Sequence, residues 1–185
     1  MLSREIKSFT SVNMKEILRQ WPRIVVVSLI CVVLMALYCY VLTINDIIPL
    51  AGKKAPSFVI VLLAQVYLAK SWVGDKRGTS VHFLKLFLFQ YIFVFTTALV
   101  GALALYYFYQ SDSGLLVLQD YIRLSVHELG QYKDVIIKQE GKEYYFQLMQ
   151  GIQGIDAFSI SRDEFSQKIA LAFLPNLLIS LYYKQ

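Results

Sequence analysis

Few residues of this chain have the type and spacing to carry chemistry. His127-Glu128 begins like the helical motif of a zinc protease, which needs a second histidine four residues on so that two imidazoles face one metal. Position 131 is Gln131, and His82, the other histidine, belongs to a distant segment on the opposite side of the membrane as the spans are read below. A metal site is not expected. Nine acids (Asp112, Asp120, Glu128, Asp134, Glu140, Glu143, Asp156, Asp163, Glu164) are interleaved with five Lys/Arg over 112–164. A solvated helix face with pairs four apart, such as Asp134 and Lys138, accounts for them. A catalytic carboxylate pair is the alternative, and no spacing singles one out. Cys31 and Cys39 lie within one apolar run with no disulfide or metal-site spacing, and read as small membrane residues. There is no phosphate loop, nucleophile elbow or Ser/Lys constellation. No catalytic residue and no cofactor is assigned, and the chain is not read as an enzyme.

Within the apolar runs the polar residues are Gln65, Gln90, Thr96, Thr97 and Asn176, with Ser28 and Ser180. Such side chains mostly hold helices together, contributing about 0.6 kcal/mol each. Lining a solute path is the other use. Thr97, Ala98, Gly101 and Ala102 form a small face suited to internal packing or to a partner helix. Ion-coupled transport usually needs an ionisable group at depth. None is expected there, because Lys168 reads as an interfacial residue. Lys15, Arg19, Arg23, Lys76 and Arg77 concentrate positive charge that would meet anionic lipid headgroups or an acidic partner.

The elements that must position these residues are membrane spans. Ile24–Asn45, Ala55–Ala69, Leu86–Ser111 and Ile169–Tyr183 contain no Asp, Glu, Lys or Arg, and 57% of the 185 residues are hydrophobic. A bilayer core needs roughly 20 apolar helical residues, since each backbone N–H must find its partner within the segment. The fold class is therefore all-α: a polytopic membrane protein in a single membrane domain. Its four spans are expected at 22–44, 55–72, 84–110 and 162–183. Residues 1–21 have the pattern of an interfacial helix, with Leu2, Ile6, Phe9 and Ile17 at helical spacing opposite Lys and Arg. Residues 112–161 form an extracytoplasmic amphipathic loop, read as helices over about 115–137 and 143–153 separated by Gly141. Trp72 is placed in the interfacial belt. Ser161-x-x-Glu164 has the form of a capping box and predicts that the last helix starts near Arg162. Pro175 should kink that helix.

Charge sets the orientation. Five Lys/Arg face two acids in 1–23, and four face one in 70–85, whereas 112–164 is acidic. Positive segments stay inside, so both termini are expected in the cytoplasm, in the cell inner membrane. The expected partners are membrane lipids and either another protein or further copies of this chain, with no nucleic acid.

Ala69-Lys70, then Asp75-Lys76-Arg77-Gly78, then Ser80-x-x-Phe83-x-Lys85 entering the third span form a pattern that resembles domain-of-unknown-function family 4199. The acidic helical loop of some 50 residues and the short basic tail are similar too. The resemblance covers roughly residues 24–185 and implies a small four-span inner-membrane protein of the Bacteroidota type. It supplies no catalytic residues. It implies an accessory role near a polyprenyl-phosphate glycosyltransferase. The leading expectation is thus a non-enzymatic subunit, anchor or scaffold of a membrane complex. The alternative is a small oligomeric transporter or channel with Gln65, Gln90 and Asn176 lining its path. A third reading is an enzyme using the outer carboxylates on lipid-linked substrates.

Overall fold

The computed structural model describes residues 19–45, 47–48, 56–75 and 82–183. The expected interfacial helix over 1–21 falls almost entirely outside them, as do Lys15, Lys76 and Arg77. Among the described residues every regular element is helical: α1 (Trp21–Ile44), α2 (Phe58–Asp75), α3 (Phe83–Gln110), α4 (Asp112–Gln131), α5 (Lys133–Glu140), α6 (Lys142–Gln153) and α7 (Ala157–Tyr183). α1, α2, α3 and α7 are long and apolar enough to cross a membrane. The fold is all-α and polytopic.

α1 starts with Pro22 in its first turn, where a missing N–H costs nothing. It ends at Asn45, whose side chain donates to the Val41 carbonyl at 2.7 Å. α3 is the central helix and packs against α1, α2 and α7, most extensively against α7. Its buried face reads Leu86, Phe89, Gln90, Phe93, Val94, Thr97, Ala98, Gly101 and Ala102. Trp72 of α2 packs edge-to-face on Phe89 and is buried. α2 runs on to Asp75, so Trp72 stands one turn before the helix end, facing the bundle.

Ser111 alone joins α3 to α4. Its hydroxyl donates to the Phe108 carbonyl at 2.6 Å and accepts from the Gly114 N–H at 3.3 Å, capping the new helix. The turn is so tight that a Cβ on Gly114 would stand 2.0 Å from the Phe108 carbonyl oxygen. Tyr109 and Leu118 seal the junction, with Leu105, Tyr121, Ile155 and Ile160 around them. The extramembrane segment has three helices where two were expected. α4 ends at Tyr132, whose N–H turns back to Leu129 O at 3.2 Å, just after Gly130 has lowered the local helix preference. Gly141 separates α5 from α6 at φ +96°, a conformation that glycine adopts without a Cβ clash.

The capping-box reading at Ser161 is overturned. Asp156 Oδ1 accepts from the Ser159 N–H at 2.7 Å while Ser159 Oγ accepts from the Asp156 N–H at 2.9 Å. This reciprocal pair starts α7 at Ala157, directly after the Gly154 break. Ser161 is already inside the helix, with its hydroxyl donating to the Ala157 carbonyl at 2.7 Å, as serines in helix interiors do. At 27 residues, α7 is about 40 Å long. It continues through Pro175 to Tyr183.

Candidate functional site

The earlier start of α7 changes the status of its polar residues. Ser161, Glu164, Lys168, Ala172, Asn176 and Ser180 recur at three or four residues and so fall along one stripe of the helix. Ser161, Lys168, Ala172, Asn176 and Ser180 are buried. Leu171, Phe173, Leu174, Leu178 and Leu181 are exposed instead. α7 is therefore polar toward the bundle and apolar toward the outside, the reverse of a helix in a water-soluble protein. That polarity suits lipid surroundings.

Lys168 and Glu164 form an ion pair whose side chains are only 7% and 11% exposed. A Cβ on Gly101 would lie 3.8 Å from Lys168 Nζ and 3.9 Å from Val32 Cγ2. Val32 stands eleven residues from one end of α1 and twelve from the other, about 17 Å along the axis from each. The ammonium thus sits level with the middle of α1. The interfacial reading of Lys168 does not hold, and an ionisable pair lies at depth where none was expected. Gly101 provides the notch that admits the Lys168 side chain between α1, α3 and α7. The small face on α3 is therefore used for internal packing around a charge.

One turn along α3 and α1 from Gly101 and Val32, Thr97 and Ser28 meet. Thr97 Oγ1 lies 2.9 Å from both Ser28 Oγ and the Phe93 carbonyl. A hydroxyl has one proton and a carbonyl can only accept, so Thr97 donates to Phe93 and Ser28 donates to Thr97. Asn176 donates from Nδ2 to the Phe87 carbonyl at 3.3 Å, tying α7 to α3. Gln65 and Gln90 are fully buried, and their amides have no hydrogen-bond partner among the described residues. Each such group left unpaired costs about 1–3 kcal/mol.

The remaining candidates are dispersed. Arg23 is 3.2 Å from Asp75, its guanidinium is 5.7 Å from the Tyr67 ring, and the pair is one- to two-thirds exposed. Such a bridge contributes about 0.2–1 kcal/mol, but it fixes the start of α1 and the end of α2 at one end of the bundle. Arg19 is exposed. His127 lies on the exposed side of α4, 3.3 Å from Gln131. Among the described residues, no three His, Cys, Asp or Glu side chains come close enough to hold a metal. On the outer helices the acids serve local ends: Asp120 pairs with Arg123 at 2.9 Å. Asp156 is held below the usual carboxylate range, chiefly by the Ser159 N–H.

Sequence reasoning passed over the Glu164–Lys168 pair because a helix start near Arg162 puts both residues in its first two turns, at the membrane surface. The available signal was that the polar side chains Ser161, Glu164, Lys168, Asn176 and Ser180, with the small Ala172 between, fall at three- or four-residue steps along one stripe. Compared with protein-family models, curated proteins and solved structures, the chain matches none of them.

Proposed function

We propose that this chain is a small inner-membrane transporter or channel that moves protons along the polar face of α7, with the Glu164–Lys168 pair as the titrating element. The buried ion pair level with the middle of α1 carries the reading. Intramembrane charges are costly to keep and typically mark ion or proton pathways. Ser161, the Ser28–Thr97 pair, Asn176 and Ser180 extend hydrogen-bonding groups on either side of it. A relay of this kind needs no open pore. Both chain termini face the cytoplasm in this reading, supported by the basic residues of 1–23 and 70–85. The test is proton entry into vesicles containing only this protein and a trapped pH dye, under a potassium diffusion potential. Entry above the protein-free rate, and a fall of at least tenfold in Glu164→Gln, are expected. Equal rates in protein-containing and empty vesicles would remove the proposal.

A second reading, a non-enzymatic subunit or scaffold of a membrane complex, is favoured by a separate observation. Leu116, Leu124, Tyr132, Val135, Tyr144 and Phe146 on α4–α6 are exposed outside the spans. Large exposed apolar side chains of this kind suit a partner or the membrane surface. The family resemblance points the same reading toward a polyprenyl-phosphate glycosyltransferase. Purification from native membranes in mild detergent separates the two: a stoichiometric second protein supports the subunit, whereas a homo-oligomer supports transport.

A further inference from the structure

The bundle has a second polar feature, distinct from the ion pair. Nε2 and Oε1 of Gln65, Nε2 and Oε1 of Gln90, Oδ1 of Asn176 and Oγ of Ser180 are all buried without a hydrogen-bond partner among the described residues. They come from α2, α3 and α7, three helices that pack on one another. Gln65 is flanked on α2 by Val61 and Leu68, Gln90 on α3 by Leu86, Phe93 and Val94, and Asn176 on α7 by Ala172. All six flanking residues belong to one buried cluster. Asn176 reaches the Phe87 carbonyl, one turn from Gln90. The Lys168 ammonium, by contrast, lies at Gly101, eleven residues further along α3 and so about 16 Å away.

The chemistry of these atoms limits what can satisfy them. The two amides and the hydroxyl present donors, and the three carbonyl oxygens and the hydroxyl present acceptors. None is charged, so an ion would lose its hydration without gaining a countercharge. The complementary molecule is small, neutral, and both donates and accepts. We propose that the α2–α3–α7 core is an internal hydration site in which ordered waters bridge Gln65, Gln90, Asn176 and Ser180. At roughly three hydrogen bonds per buried water, six such atoms call for about two water molecules. The site stands whether or not the chain conducts protons.

The test uses the full chain in lipid nanodiscs with ¹⁵N-labelled glutamine. Among the described glutamines, Gln65 and Gln90 are the buried ones, so their side-chain signals are those spared by a water-soluble paramagnetic chelate. Water-edited solid-state NMR then measures magnetisation transfer from water to those protected amides. The expected result is build-up within a factor of about two of that at exposed glutamines, since the donating water would be in direct contact. Two results would overturn the site: build-up slower by tenfold or more, or direct transfer between the two amides with no water transfer, which would mean that they pair with each other. No substituted variant is required, so loss of folding cannot obscure the answer.

Discussion

Replacing Lys168 by methionine separates a charge pair that serves the bundle from one that merely decorates it. The variant leaves the Glu164 carboxylate buried beside an apolar chain of similar length, and removing one member of a buried pair costs about 3–5 kcal/mol. In Glu164→Leu it is the Lys168 ammonium that loses its paired carboxylate. Each single variant should therefore lose about 3–5 kcal/mol. At the 2–4 °C per kcal/mol typical of chains this size, that is roughly 6–20 °C in apparent Tm. The double variant Glu164→Leu/Lys168→Met leaves no orphan and should return to within about 1 kcal/mol of the parent, or exceed it. Scanning fluorimetry of the four proteins in one detergent closes the cycle. Additive losses in the double variant, or single-variant losses below about 0.5 kcal/mol, would show that the pair is solvated and refute the argument from burial. The double variant also isolates function. It should fold as well as the parent yet leave proton entry into vesicles at the protein-free rate.

Three further outcomes follow from the geometry. Gly114→Ala places a methyl group 2.0 Å from the Phe108 carbonyl oxygen and should unfold the α3–α4 junction, seen as loss of monodisperse protein; Gly130→Ala meets nothing within 4 Å and should gain up to about 1 kcal/mol from helix propensity. Gly101→Ala brings only ordinary contacts at 3.8 and 3.9 Å and should be tolerated, whereas Gly101→Leu fills the space around Lys168 and should cost about 1–3 kcal/mol by the overpacking scale, with thermal unfolding as the readout. Asp156→Ala removes the α7 cap and should lower the apparent Tm. The folded Asp156 carboxyl titrates below its unfolded value, so its contribution is present above the ordinary aspartate range and disappears as the pH falls through the folded value. A pH-independent difference between parent and Asp156→Ala from pH 7 to 3 would contradict that.

The spans were legible because hydrogen bonding in lipid leaves the backbone little choice, and a charge-free run declares itself without reference to any neighbour. The ends of the elements were less so. Ser161-x-x-Glu164 matches a capping box as well as Asp156-x-x-Ser159 does, and only the reciprocal bonds between Asp156 and Ser159 decide between them. Ser161 instead bonds back to Ala157. That error propagated: a helix beginning near Arg162 puts Lys168 in its second turn, at the surface, whereas one beginning at Ala157 makes it the twelfth residue. Gln65, Gln90, Thr97, Gly101 and Asn176 were identifiable as internal polar or small residues. Which of them meet depends on the crossing of α1 and α7 over α3, and a list of residues does not contain that.

Charge in a membrane helix is therefore a poor guide to where the helix leaves the membrane. A rule that ends a span at the first lysine assumes that each charge must reach water by itself. Lys168 has a carboxylate one turn away on its own helix and a glycine opposite on another. The first reduces the cost of its charge and the second provides room for its side chain. Only Glu164 has a sequence position that announces it, four residues before Lys168; Gly101 is 67 residues earlier and becomes relevant only through packing. Gln65 and Gln90 are likewise polar and fully buried inside their spans, not at the ends of them. A polar residue repeated every four positions in a candidate span, facing a glycine-bearing neighbour, is better read as the inner lining of a bundle than as its boundary. In this chain that reading joins Ser161 to Ser180 in one continuous face.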